Sequence, residues 1–172
     1  MDGLTTSGNQ WGVNIDRGSR VTFANAAIAE GDSIVFEGQD ASGSLTVESG
    51  SYQNIKTQGG STGGTIAING GTVGSVVNDT AAEITISGGT VLAAGGSSGM
   101  GMNLKAAQPC VIYGSTGFGG MPGSTQSSLI AADADFTIED ADGNAVYSGT
   151  TRCGANFILF SSADVVADSA YT

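Results

Sequence analysis

The side chains able to do chemistry are few in this chain of 172 residues, and their types limit what they can do. There is no histidine, so neither a Ser–His nor a Cys–His nucleophile can be assembled. The basic residues are Arg17, Arg20, Lys56, Lys105 and Arg152. A lyase would need one of them as its base. Lys56, inside a repeated segment, is the one placed to serve, although a solvated side chain on an outer face is its plainer role. Asp140, Asp142 and Asn144 stand at i, i+2 and i+4 around Gly143. That is the opening of an oxygen-ligand loop for a hard cation. The later bidentate glutamate is missing, and Asp142-Gly143 is also an ordinary hairpin turn. Cys110 and Cys153 are too few for a zinc site without histidine. They could close a loop of roughly 43 residues, which the chain-entropy model values at roughly 4 kcal/mol, or remain two buried thiols. For sugar, the constellation is Asn9, Gln10 and Trp11. The only indole in the chain offers a face for the C–H side of a ring, beside two amides for its hydroxyls. Tyr52 and Tyr113 are further aromatic platforms.

These residues need a scaffold, and the composition bounds it. Sixteen acidic against five basic residues give a formal charge of −11. A surface of that sign repels nucleic acid and anionic membranes. Apolar residues make up 40% and charged residues 12%, so the chain folds around a core rather than staying disordered. No apolar run is long enough for a membrane-spanning helix. The start, MDGLTTSG, has neither a basic n-region nor an apolar h-region. It reads as the start of a mature or excised segment. The wealth of Gly, Ser, Thr and Asn with few lysines fits an extracellular or cell-surface bacterial protein.

Alternating triplets recur along the first part of the chain, at intervals that shorten slightly from one to the next. They are Val21-Thr22-Phe23, Leu45-Thr46-Val47, Ile66-Ala67-Ile68 and Ile84-Thr85-Ile86. Alternation of this kind places two side chains inward and one outward on a strand. A second column, Val13, Ile34, Ile55 and Val76, keeps a constant interval of 21. A third runs Ile28, Tyr52, Val73 and Val91, which assigns Tyr52 to the core. Three inward columns per repeat predict three short strands per coil of a parallel β-helix. Gly70-Gly71 and Gly88-Gly89 mark the corners between strands. An antiparallel sandwich would also use short strands and glycine turns, but it would not keep that register. Thr22, Thr46 and Thr85 form an outward column broken by Ala67. An ice-binding face would need two or more such columns. The repeat occupies residues 1–107, an irregular Gly/Ser-rich loop residues 108–126, and a small antiparallel β unit residues 127–172. Within that unit FTIEDADGNAVY folds as a hairpin around Asp142-Gly143.

Four motifs in one order carry a resemblance: ITISGGTVLAAGGSSGM, STQSSLI, FTIEDADGNAVYSG, and NFILFSS with a final YT. Together they resemble the C-terminal part of a bacterial carbohydrate-binding β-helix family, a pectate-lyase-like group of secreted or cell-surface proteins. The resemblance covers roughly residues 28–172. It implies a right-handed parallel β-helix, polysaccharide binding and calcium. Calcium in that family goes with Asp-Asp-Gly-Ile turns. The matching column here reads Trp11, Asp32, Gln53 and Gly74, with Asp2 in Asp-Gly-Leu as a second remnant. The expectation is a non-catalytic, extracellular polysaccharide-binding module. An adhesive or filament-forming spacer is the alternative, and a calcium-dependent polysaccharide lyase ranks third. The first ten residues read as too short and too polar to cover a coil. The open first coil is therefore expected to recruit another copy, while the final β unit closes the other end.

Overall fold

The computed structural model describes residues 3–5, 12–16, 18–28, 33–37, 42–58, 63–77, 82–95, 104–114, 130–151 and 157–172. All of the regular structure among them is β. The repeat folds into three faces. The first carries β1 (Val13–Ile15), β4 (Ile34–Glu37) and β7 (Ile55–Gln58). The second carries β2 (Arg20–Phe23), β5 (Ser44–Val47), β8 (Thr65–Ile68), β10 (Glu83–Ile86) and β12 (Leu104–Ala106). The third carries β3 (Ala26–Ile28) and β6 (Gly50–Tyr52). The longer strands β9 (Thr72–Val77) and β11 (Thr90–Gly95) run from the third face into the first. Every pairing within the coils is parallel. The chain is therefore a β-solenoid.

All three sequence columns are present as cross-strand partners. Val13, Ile34, Ile55 and Val76 stack along the first face. Val21, Leu45, Ile66, Ile84 and Leu104 stack along the second. Ile28, Tyr52, Val73 and Val91 stack along the third. These columns meet in one continuous core with Phe23, Phe36, Ile68 and Ile86. Tyr52 is fully buried, edge-on to Phe23 at 6.0 Å between ring centroids. Its hydroxyl donates to the Ser49 carbonyl at 2.6 Å. Burial raises the phenol's pKa above its ordinary value.

The corner between the second and third faces is a stacked glycine column. Gly50, Gly71 and Gly89 sit at φ of 115°, 85° and 84°. A Cβ on Gly71 would lie 2.7 Å from the Gly50 carbonyl oxygen of the rung below. A Cβ on Gly89 would meet the Gly71 carbonyl closer than 3.0 Å. The preceding Gly88, whose φ is not positive, has the same problem with the Asn69 carbonyl. The rungs therefore close at this corner only because no side chain stands between their backbones.

At the first coil, residues 3–5 already cover one face. Thr5 bridges Ala27 in parallel, the Ala27 amide donates to the Leu4 carbonyl at 2.8 Å, and Leu4 packs against the core. Residues 3–5, expected to be too short and too polar to cover a coil, thus do pair with that face, and their backbone satisfies the Ala27 amide.

Past residue 107 the chain forms β13 (Cys110–Gly114), β14 (Asp135–Glu139), β15 (Ala145–Thr150) and β16 (Phe157–Ser161). β14 and β15 make the expected antiparallel hairpin. β16 does something the sequence reading did not assign to it. It lies antiparallel between β11 and β13, as a rung of the solenoid's own sheet. Leu159 of β16 points into the main core. Ile158 and Phe160 point outward and join Leu92 in a second apolar cluster. The hairpin covers that cluster with Phe136, Ile138, Val146 and Tyr147, with Tyr147 stacked on Phe160 at 4.4 Å. The final unit thus sits against the flank of the last rungs.

Candidate polysaccharide-binding face

Alternation on the second face turns two residues outward on each of β2, β5, β8 and β10, and one on β12. The first outward column is Arg20, Ser44, Thr65 and Glu83. The second is Thr22, Thr46, Ala67, Thr85 and Lys105. The sequence reading found only the second. The signal for the first was available, since each of its members stands two positions before an outward residue already named. Five strands at about 4.8 Å make the face about 19 Å long, and the columns lie about 6.6 Å apart. Its middle is small and, except at Ala67, hydroxylated: Ser44, Thr46, Thr65, Ala67 and Thr85. Its charges sit toward the ends. Arg20 donates from Nε to the Ser42 carbonyl at 3.2 Å. Lys105 pairs with Glu83 at 2.8 Å, both well exposed. Such a pair contributes little to stability, about 0–1 kcal/mol. Two columns are what an ice-binding face would require, but the charged Arg20, Glu83 and Lys105 interrupt the array.

The residues singled out from sequence fall in different places. Trp11, Asn9, Gln10, Asp2, Asp32 and Cys153 lie outside the described residues. Tyr52 is core, and Tyr113 is exposed on β13. Lys56 is half-buried on the outward side of β7. Cys110 is a free thiol, so the loop-closing bridge is not formed at this cysteine. It packs beside the core, and burial pushes its thiol pKa up.

Asp140, Asp142 and Asn144 do come together, as a turn. Asp140 Oδ1 accepts from the amides of Asp142 at 2.9 Å and Asn144 at 2.8 Å. The Asn144 side-chain amide donates to Asp140 Oδ2 at 3.1 Å. Gly143 takes φ 81° between the strands. The Asn144 side chain first, then its backbone amide, hold the Asp140 carboxyl below its usual range. The carboxylate is thus engaged by its own hairpin. Among the described residues no group of three or more acidic or cysteine ligands converges.

No family model matches the chain, and no curated protein or solved structure matches it. Among the described residues no helix is long and apolar enough to cross a membrane. The class defined by this geometry is the β-solenoid with a small antiparallel sheet at its flank.

Proposed function

We propose that this solenoid is a non-catalytic, extracellular polysaccharide-binding module and that its second face is the binding surface. One observation carries the reading: two parallel outward columns whose middle is made of small, mostly hydroxylated side chains. Hydroxyls at fixed strand spacing can exchange hydrogen bonds with successive sugars of an extended chain. The methyl groups of Ala67 and of the threonines lie against ring C–H groups. The glycan class is neutral, because a protein of formal charge −11 repels polyanions. The motif resemblance points to the same ligand class and to a bacterial cell surface.

A panel of neutral and acidic polysaccharides tests this by calorimetry. Thr46→Glu and Thr65→Glu are expected to weaken binding of a neutral chain at least tenfold with an unchanged circular dichroism spectrum. Loss of binding in Trp11→Ala, with none in the threonine variants, would move the site to residues 9–11. No binding by the parent to any polysaccharide would refute the reading.

A further inference from the structure

We propose that β16 is a removable strand, and that the solenoid has a second, closed arrangement in which β13 stacks directly on β11. The argument starts from a mismatch within the last coil. On the second face β12 lies one rung above β10. On the adjoining face β13 lies two rungs above β11, with β16 between them. The chain therefore climbs an extra strand width, about 4.8 Å, between Ala106 and Cys110.

The side chains are already phased for the shorter climb. Val91, Ser161 and Cys110 share one column, and Ala93, Leu159 and Ile112 the next inward one. Leu92, Phe160 and Val111 share the outward column between them. The interval from Val91 to Cys110 exceeds that from Val73 to Val91 by a single position. Ile112, in an inward column, is 50% exposed, with no rung beyond β13 among the described residues. β13 thus has the direction, the phase and the spacing of the next parallel coil.

One residue explains why the slot stays open. In the coil below, the Thr90 amide donates to the Gly71 carbonyl at 2.9 Å. The matching donor for Gly89 would be the nitrogen of Pro109, which has no hydrogen. The Gln108 side-chain amide supplies that bond instead, at 2.8 Å from the Gly89 carbonyl. The corner is therefore satisfied without β13 being seated. β16 fills the slot, and its Ser161 hydroxyl donates to the Pro109 carbonyl at 3.1 Å. When β16 leaves, β13 takes its place, and Leu92, Phe136 and Ile138 lose their cover.

Cross-linking in a Cys153→Ser background tests this, with native Cys110 as one partner. Val91→Cys places a second thiol two rungs away, about 9.6 Å between Cα atoms, beyond the roughly 7 Å reach of a disulfide. Only the closed arrangement brings the two together. Ser161→Cys, adjacent to Cys110 in the present arrangement, is the control and should cross-link at once. Under mild oxidation the Val91→Cys protein is expected to form an intramolecular disulfide more than tenfold slower than the control. It should still do so at least tenfold faster than the β8 amides exchange with solvent. No disulfide, or one that forms only as fast as β8 exchanges, overturns the proposal. If Val91→Cys fails to fold, Ala93→Cys with Ile112→Cys in a Cys110→Ser, Cys153→Ser background asks the same question.

Discussion

The glycine corner makes two separable demands, and three alanine substitutions separate them. Gly143→Ala meets only one: φ is 81°, and nothing lies within 4 Å of the added Cβ. A left-handed conformation costs an L-residue about 1–2 kcal/mol. Part of that is offset by about 0.4–1 kcal/mol, because alanine restricts the unfolded chain. Gly88→Ala meets only the other. Its φ is not positive, but its Cβ would sit closer than 3.0 Å to the Asn69 carbonyl oxygen. That oxygen belongs to the backbone of the rung below, so relief requires moving a rung and not a side chain. Overpacking of this kind costs about 1–3 kcal/mol. Gly89→Ala meets both, since φ is 84° and its Cβ approaches the Gly71 carbonyl equally closely. It should cost about 2–5 kcal/mol, the sum of the two costs. The assay is urea unfolding followed by circular dichroism. The expected order of destabilisation is Gly89→Ala, then Gly88→Ala, then Gly143→Ala. A Gly88→Ala protein as stable as the parent would refute the account of the corner as a place of backbone contact. Equal losses for Gly89→Ala and Gly143→Ala would do the same.

Two further outcomes follow from the core and the hairpin. Ile55 is fully buried between Ile34 and Val76, so Ile55→Ala should cost about 2–5 kcal/mol in the same urea assay. Ile55→Asp, which buries an unpaired carboxylate, should prevent the neighbouring coils from forming, whereas a melting temperature within a degree or two of the parent's would contradict the register. The Asp140 carboxyl is held below its ordinary value in the folded hairpin. The stabilisation it brings is therefore complete above the unfolded value of about 3.9 and is lost as the pH falls through the folded one. Proton exchange of the Gly143 amide should accelerate over that acid window relative to Asp140→Ala, whose turn should show no such step.

Much of the fold was legible because the solenoid repeats one local instruction. The constant interval separating Val13, Ile34, Ile55 and Val76 names strand partners directly, with no need to guess which distant segments meet. Gly70-Gly71 and Gly88-Gly89 were equally legible, since only glycine fits so close to a neighbouring backbone, with a positive φ as well at Gly71 and Gly89. β16 was not. FILFS announces a strand, but alternation does not say which edge it joins or in which direction. Its partners lie far back in the chain, at Pro109 for the Ser161 hydroxyl and at Leu92 for Phe160, and no period connects them. The binding face was half legible. The triplet alternation marks only its middle residue as outward, and Ser44 and Thr65 stand just outside the triplets.

The corners of the coil are unequal in a way that bears on how such a chain can change. Between the second and third faces, β2 is followed by β3, and β5 by β6, after two residues, and β8 by β9, and β10 by β11, after three. The glycine contacts fix that seam, and nothing can be added there. Between the first and second faces the intervals are longer and uneven, with six residues from β4 to β5, six from β7 to β8 and five from β9 to β10. The ends of these intervals still take part in the core, since Ala82 is fully buried and a Cβ on Gly64 would lie 2.9 Å from the Phe36 ring. Foreign peptide grafted within this seam, with Gly64 and Ala82 kept, is expected to leave the rungs in place. Grafts on successive coils would emerge as a row with the pitch of the sheet, about 4.8 Å. The molecule is thus built as a ruler whose sealed edge sets the length of every rung.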